Sequence, residues 1–383
     1  MMKSISFLLA IGVTLFVAFT YLDNWTAESP SSPRSESTEQ TEVAASSSVD
    51  ELWKSISEQS TDEVAESVAS FRKLNDHPFF EMTYVGDYNA EQTVDSGDDD
   101  SDQAGFLFND RTSGWACSIF VSYNKNGSAI YGRNFDWQHN AAMLLRTNPS
   151  DGYASISMVD ISYLGFEKDD AKFDSLDARK ALLYAPLIPF DGMNECGLVV
   201  AMAAVGETEI PVAPGKRSVG GLQMIRLMLD QAKTTDEALT LFERYNVKMI
   251  GGPNIHYLIA DRHGESALVE LKDGKTNIIK GNGKWQSATN FYITGQDQPK
   301  RQCPRFATIE AKMEAEEGGL TSAATLKLLQ RVQQPNTQWS AVYDMKRRGV
   351  DIALSREFKL PLAFELIEKK SQATTSAAGS VRK

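Results

Sequence analysis

Residues 115–137, WACSIFVSYNKNGSAIYGRNFDW, read as one β-hairpin. Apolar and β-branched residues fill the run that opens at Cys117, an Asn-Lys-Asn-Gly turn follows, and the returning strand closes on Arg133-Asn134-Phe135-Asp136. The hairpin predicts paired neighbouring strands, one carrying Cys117 and the other Arg133 and Asp136. By itself, a cysteine early in a strand reads as an inert buried residue, and Arg133 with Asp136 reads as a structural ion pair. An arginine and an aspartate at the end of a strand-like run are nevertheless costly to bury without a partner or a task. With a cysteine 16 and 19 positions upstream, they make a candidate reactive cluster.

Outward from the hairpin the chain keeps alternating strand-like runs and turns: AMLLRTN, YASISMVDISYLG and GLVVAMAAV. Two helices are predicted next. One covers 220–232, with Leu222, Ile225, Leu227 and Met228 apolar, and the other follows Thr234, which forms a capping-box pattern with Glu237. NIHYLIAD, SALVEL, TNIIKG and SATNFYIT then read as strands, 305–333 as a helical tract, and WSAVYDMKRRGVDIAL as a closing hairpin. Upstream, Leu52, Trp53, Ile56, Val64, Val68 and Phe71 recur at helical spacing before the strand-like HPFFEMTYVGDY. This order predicts an α+β fold, antiparallel sheets covered by helices on their outer faces.

Of 383 residues 42% are hydrophobic, enough for one large domain or two small ones, and a formal charge of −12 without a basic block argues against nucleic acid as a partner. Cys117, Cys196 and Cys303 are too few and too scattered for a disulfide framework or a C-x-x-C metal site. His77, His139, His256 and His263 show no pairing with a nucleophile. His256 and His263 flank Asp261, but a strand and a turn place the three awkwardly for a metal ion. At the N-terminus, Lys3 precedes an apolar run over 5–22, read as a signal anchor or signal peptide (1–23) that leaves the rest extracytoplasmic. No small-x-small cleavage site follows, which favours a membrane anchor. Residues 24–48 read as a disordered tether and 371–383 as a disordered tail. DSGDDDSDQAG, over 95–105, lacks the ligand spacing of a calcium loop and reads as an exposed loop.

Cys117-Ser118, followed by Gly132-Arg133-Asn134-Phe135-Asp136-Trp137, resembles the N-terminal nucleophile (Ntn) hydrolases of the linear amide C–N hydrolase group: choloylglycine hydrolases, penicillin V acylases, the penicillin acyltransferase and acid ceramidase. The likeness runs over residues 78–366 and takes in PFFEMTYVGDY, DGYASISMVDISYLG, DGMNECGL (191–198), ATNFYIT and TQWSAVYD in the family's order. It implies a four-layer αββα sandwich over 117–370, with no cofactor and no metal. It also implies that the cysteine becomes the first residue of the mature chain, its own α-amine acting as base. An α-amine titrates at about 7.7 to 8.0, so no histidine is required. The bond between Ala116 and Cys117 is then expected to be cut by the chain itself, with 49–116 retained as the small subunit of an α/β heterodimer.

The same resemblance makes Cys117 the nucleophile, has Asp136 hold the amine, and sets Arg133 beside the thiolate. Asn290 donates to the oxyanion, Arg305 supports the site, and Ala204 supplies a backbone N–H as second oxyanion donor. Some relatives carry an asparagine where this chain runs Met202-Ala203-Ala204-Val205; a backbone donor survives that change and a side-chain contact to substrate does not. Asn194 and Glu195 read as the turn before GLVVAMAAV. Trp137, Met143, Leu144 and Tyr163 are candidates to line an apolar pocket for the acyl half of a substrate, and read equally as core. The implied reaction is hydrolysis of a linear, non-peptide amide of a small N-acyl compound through an acyl-cysteine. The alternatives are an acyltransferase and, from another class, a membrane-tethered binding protein on an inactive scaffold.

Overall fold

The computed structural model describes residues 53–92, 116–124, 127–138, 140–166, 171–249 and 252–366, all within the unit Ala44–Lys383. The expected anchor and tether, the acidic loop over 95–105 and the tail lie outside the described residues. Among the described residues no helix is long and apolar enough to cross a membrane.

Helix α1 (Thr61–Ser70) opens on a capping box between Ser60 and Glu63 and leads into β1 (Arg72–Asn75) and β2 (Phe79–Thr83). The hairpin read from the sequence is β3 (Ala116–Tyr123) and β4 (Ala129–Asp136), paired so that Cys117 stands opposite Phe135. Then come β5 (Ala142–Thr147), β6 (Ser155–Asp160), β7 (Asp191–Asn194) and β8 (Val199–Ala204). A parallel ribbon of β9 (Arg217–Gly220) and β10 (Tyr245–Lys248) brackets helices α2 (Gly221–Gln231) and α3 (Thr235–Arg244). Strands β11 (Ile255–Ala260), β12 (Ser266–Lys272), β13 (Lys275–Lys280) and β14 (Trp285–Ala288) precede α4 (Pro304–Ala315) and α5 (Ser322–Val332). The described chain closes on β15 (Thr337–Asp344), β16 (Gly349–Leu354) and β17 (Leu362–Glu365).

These strands form a nine-stranded sheet, β1-β2-β5-β6-β7-β8-β11-β12-β13, and a six-stranded sheet, β14-β3-β4-β15-β16-β17. Every pairing in them is antiparallel except that of β2 with β5. The segment ahead of the hairpin thus supplies two strands to the larger sheet. Strand alternation sorts the layers. Ile119, Val121, Tyr131 and Phe135 join the core between the sheets, whereas Phe120 and Ile130 pack outward with Ile309, Met313, Leu328 and Leu329 of α4 and α5. At Gly132 a Cβ would sit 2.7 Å from the Phe120 ring and 2.8 Å from the Thr325 methyl, so only glycine admits so close an approach of α5 to the hairpin. On the other side Tyr257 donates its hydroxyl to the Gly221 carbonyl and packs on Phe242, which fixes α2 and α3 to the larger sheet. The result is the expected αββα order.

Three local expectations change. The tract over 305–333 is two helices, because Glu317 and Gly318 adopt positive φ and Gly318 N–H caps the Met313 carbonyl. YASISMVDISYLG ends its strand at Asp160, whose carboxylate caps a 3₁₀ turn over Ile161–Leu164. SATNFYIT is strand only to Ala288, and further along it the backbone N–H groups of Ile293 and Thr294 donate to the Glu270 carboxylate.

Candidate active site

β14 stops at Ala288, opposite Ile119, so the edge of β3 at Cys117 extends past the strand that would cover it. Continued in register, Asn290 would stand opposite Cys117, and its side chain takes the place of the missing ladder. The Cys117 backbone N–H donates to Asn290 Oδ1 at 2.5 Å. Arg305, in the first turn of α4, donates to the Cys117 carbonyl, to Ser118 Oγ at 3.0 Å and to Asn290 Oδ1 at 3.1 Å. Since both groups facing that oxygen are donors, the amide nitrogen must lie at the other end, where Nδ2 donates to the Ala204 carbonyl at 2.9 Å. Val205 donates its N–H to Asn254, so alternation turns the Ala204 N–H and C=O together toward the side where Asn290 lies. Asn290 therefore bridges the two sheets, from the main chain of Cys117 to that of Ala204.

On the inner face the Cys117 thiol meets Arg133, whose Nη2 lies 3.9 Å from Sγ. Arg133 is wholly buried, and its ion partner is Asp191 at 2.6 Å. The Arg133–Asp136 ion pair read from the sequence is thus corrected: residues three apart on one strand point to opposite faces. Arg133 Nη1 also donates to the Phe190 carbonyl at 3.1 Å, and the guanidinium lies 4.8 Å from the Phe135 ring. Asp191 accepts further from Trp339 Nε1 at 3.1 Å and from the Tyr343 hydroxyl. Burial pushes its carboxyl up, while Arg133 and these two donors pull it back. Asp191 is the residue that sequence reasoning missed. The signal was there in DGMN, an aspartate opening an apolar strand, which needs a cation that the unpaired Arg133 could supply.

Asp136 stands across the pairing from Ala116 and accepts from Thr337 Oγ1. Its Oδ2 has Arg305 Nη1 at 3.9 Å and makes no hydrogen bond among the described residues. Burial pushes this carboxyl up to about 6, against the Thr337 hydrogen bond and the charges of Arg305 and Arg133. The expected contact of Asp136 with the Cys117 nitrogen is absent from the uncut chain, because that N–H points to the opposite edge of β3, toward Asn290. Burial also pushes the Cys117 thiol up. Arg133, the Asp136 backbone N–H and Arg305 pull it down, and the Asp136 carboxylate adds to the rise.

Trp137, Met143, Leu144 and Tyr163, the candidate pocket lining, are 0 to 4% exposed and belong to the main core. Met143 and Leu144 are neighbours on β5 and face opposite sides of its sheet, so they cannot line one wall together. The Tyr163 ring lies 5.3 Å from that of Phe190, which itself lies 5.1 Å from Phe135. Asn194 forms the expected turn, accepting from Cys196 and Leu198 N–H while its Nδ2 caps the Leu229 and Ala232 carbonyls of α2. Asp261 is taken up by the N–H groups of Thr235 and His263, and His256 pairs with Glu270.

Residues 188–357 match the family model of the acyl-coenzyme A:6-aminopenicillanic acid acyl-transferase. That span holds Asp191, Ala204, Asn290 and Arg305 and begins after the hairpin of Cys117. A penicillin V acylase of Pectobacterium atrosepticum is 26% identical over 193 residues, covering 46% of this chain and 49% of that protein, so the chain spans about half the length of the curated relative it matches. Among solved structures, penicillin V acylase from Agrobacterium tumefaciens is 17% identical with a TM-score of 0.44, over 64% of this chain and 84% of that one. A mutant of conjugated bile acid hydrolase from Clostridium perfringens is 15% identical with a TM-score of 0.48, over 65% and 92%. The family model and the curated relative point to the Ntn hydrolases of the linear amide C–N hydrolase group, the same group that the hairpin of Cys117, Arg133 and Asp136 resembles.

Proposed function

We propose that the protein is an Ntn acylase that hydrolyses a linear amide of a small N-acyl compound, with Cys117 as nucleophile once its α-amine is exposed. One observation carries this reading. A thiol nucleophile in mid-chain needs only its sulfur positioned, whereas here the nitrogen, the carbonyl and the sulfur of Cys117 each meet a polar side chain: Asn290, Arg305 and Arg133. A main-chain nitrogen is worth such a fixture if it has chemistry of its own.

Exposure begins with the Cys117 thiol adding to the Ala116 carbonyl carbon. The C–N bond breaks, the nitrogen takes up the proton, and water hydrolyses the resulting thioester, leaving Cys117 with a free amine. With Ala116 gone the amine can turn, and Asp136 Oδ2, already across from that position, accepts from it. In turnover the amine takes the thiol proton and the thiolate attacks the substrate carbonyl. The oxyanion then meets the second N–H of Asn290 Nδ2 and the Ala204 N–H, both on the edge where the two sheets are bridged. The departing amine takes the proton back, and water cleaves the acyl-cysteine by the same route in reverse.

Ring contacts link Tyr163 through Phe190 and Phe135 to the Arg133 side of the cluster, and we assign the acyl group to that side. Intact-mass measurement tests the reading: purified protein should contain a chain beginning at Cys117, and Cys117→Ala should remain full length and inactive. Full activity from an undivided chain would refute the amine as base. The match to an acyl-transferase model favours a second reading in which an amine accepts the acyl group in place of water. Added amines that partition the acyl-enzyme to a new amide would establish it.

A further inference from the structure

Glu270 is a carboxylate on β12 with no exposed surface. Its two oxygens accept from the backbone N–H groups of Ile293 at 2.7 Å and Thr294 at 2.8 Å. His256, equally buried on the neighbouring β11, stands behind it with Nδ1 3.4 Å from Oε1. Burial alone would push the Glu270 carboxyl up, yet the hydrogen bonds from His256, Thr294 and Ile293 hold it below its ordinary value, so it is a charged acceptor at neutral pH. A buried charge is retained only where it is paired and hydrogen-bonded, and here both oxygens are spent on the loop that leaves β14.

That loop carries Asn290 three residues ahead of Ile293. Tyr292 secures it again through its hydroxyl on the Gly206 carbonyl, 3.1 Å away and just beyond Ala204. Chain from the smaller sheet is thus turned by a side chain of the larger one, at the place where Asn290 must reach both Cys117 and Ala204. Were SATNFYIT instead to continue as strand beside β3, the Asn290 side chain would stand off the face of the sheet and could not take the place of the ladder.

We propose that Glu270, backed by His256, is a positioning residue that sets the aim of the Asn290 amide. This rests on Asn290 being an oxyanion donor, as proposed above. The effect belongs in kcat and leaves KM alone, because the contact strengthens as charge develops on the substrate oxygen. A displacement of about 1 Å at such a donor costs up to about a hundredfold.

The test is a double-mutant cycle on the mature enzyme, its active fraction counted by titration of the Cys117 thiol. Glu270→Gln, which keeps the shape but turns an N–H donor toward a backbone N–H, should lower kcat by about ten- to a hundredfold with KM within about twofold. In an Asn290→Ala background the same change should cost less than about twofold, since there is no amide left to aim. If Glu270→Gln prevents maturation, His256→Gln, which leaves the carboxylate in place, takes its part in the cycle with a smaller loss of the same kind. Losses that multiply with that of Asn290→Ala, or a wild-type kcat in Glu270→Gln, would overturn the proposal while leaving Asn290 as donor. A wild-type kcat in Asn290→Ala would instead remove the oxyanion assignment, and the aiming role with it.

Discussion

Two arginines flank Cys117 and do opposite things. Arg133 lies on the inner face with no exposed surface, and its charge is consumed by Asp191, itself braced by Trp339 and Tyr343. Arg305 lies on the outer edge with its side chain 16% exposed, and its close partners are neutral oxygens of Cys117, Ser118 and Asn290. Its nearest carboxylate, Asp136, is 3.9 Å away. The first arginine is part of the core and touches the thiol as a donor whose charge is already matched. The second keeps its charge for the main chain of the nucleophile. Of the two, Arg305 is the one whose removal should alter chemistry more than folding.

The largest effect that separates them is on stability. Asp191→Asn removes the carboxylate and leaves the Arg133 guanidinium buried and unmatched, which costs about 3 to 5 kcal/mol. Urea unfolding of the uncleavable Cys117→Ala chain, with and without Asp191→Asn, measures it. A loss under about 1 kcal/mol would mean that Arg133 finds another partner and that the two arginines are less distinct than their surroundings suggest.

The hairpin of Cys117, the antiparallel sheets covered by helices and most strands were legible because they rest on local patterns of alternation, turn residues and caps, whereas the four-layer αββα order came from the family resemblance. Asp191 could be read from DGMN only as an aspartate in need of a cation; that the cation is Arg133, 58 residues away in another sheet, has no local signal. The Arg133–Asp136 pairing failed for a reason visible in the sequence: an odd spacing on one strand separates faces. Of the pocket residues, Met143 and Leu144 cannot line one wall for the same reason, being adjacent on one strand. Arg305 shows the opposite case, expected from the family resemblance only to support the site and found donating to the Cys117 carbonyl, Ser118 and Asn290. It reaches Cys117 past the early end of β14, which has no local signal.

Asp136 sharpens the contrast through pH. Its carboxyl binds a proton more tightly in the folded chain than in the unfolded one, about 6 against an ordinary 3.8. The stability it contributes is therefore present below about 3.8 and is lost as the pH rises through about 6, by up to about 3 kcal/mol. In the uncleavable chain Asp136→Asn should abolish that decline. In the mature enzyme the charged form is the one that holds the amine, so activity should fall as the pH drops through the acidic limb set by Asp136. A stability profile unchanged by Asp136→Asn between pH 4 and pH 7 would assign the decline to another group.

Arg305→Lys comes next. A lysine keeps the charge but cannot span the Cys117 carbonyl, Ser118 and Asn290 at once. Self-cleavage and kcat should each slow by about tenfold, a change of about 1.4 kcal/mol in the barrier, while stability stays within about 1 kcal/mol because the group is partly exposed. Stopped-time sampling of precursor and product bands gives the first rate, and turnover per titrated thiol gives the second. If stability drops by several kcal/mol instead, Arg305 is a core residue like Arg133 and the contrast fails.

The smallest effect comes from Thr337, which donates its hydroxyl to Asp136 Oδ1 and thereby opposes the upward push of burial. Thr337→Val keeps the shape and removes that donor. The Asp136 carboxyl then has the charges of Arg305 and Arg133 as its remaining support, so its proton should be held more tightly and the acidic limb of the rate profile should move to higher pH. Net stability should change by about 1 kcal/mol or less, since at acidic pH a protonated carboxyl loses little with the hydroxyl gone. The reading depends on direction: removing a donor to a carboxylate can only raise its pKa unless another donor replaces it. A limb that stays fixed in Thr337→Val but shifts upward in Arg305→Gln, which removes the charge, would show that the charge of Arg305, though 3.9 Å distant, outweighs the hydrogen bond. A limb that shifts in Thr337→Val alone would confine Arg305 to the main chain of Cys117.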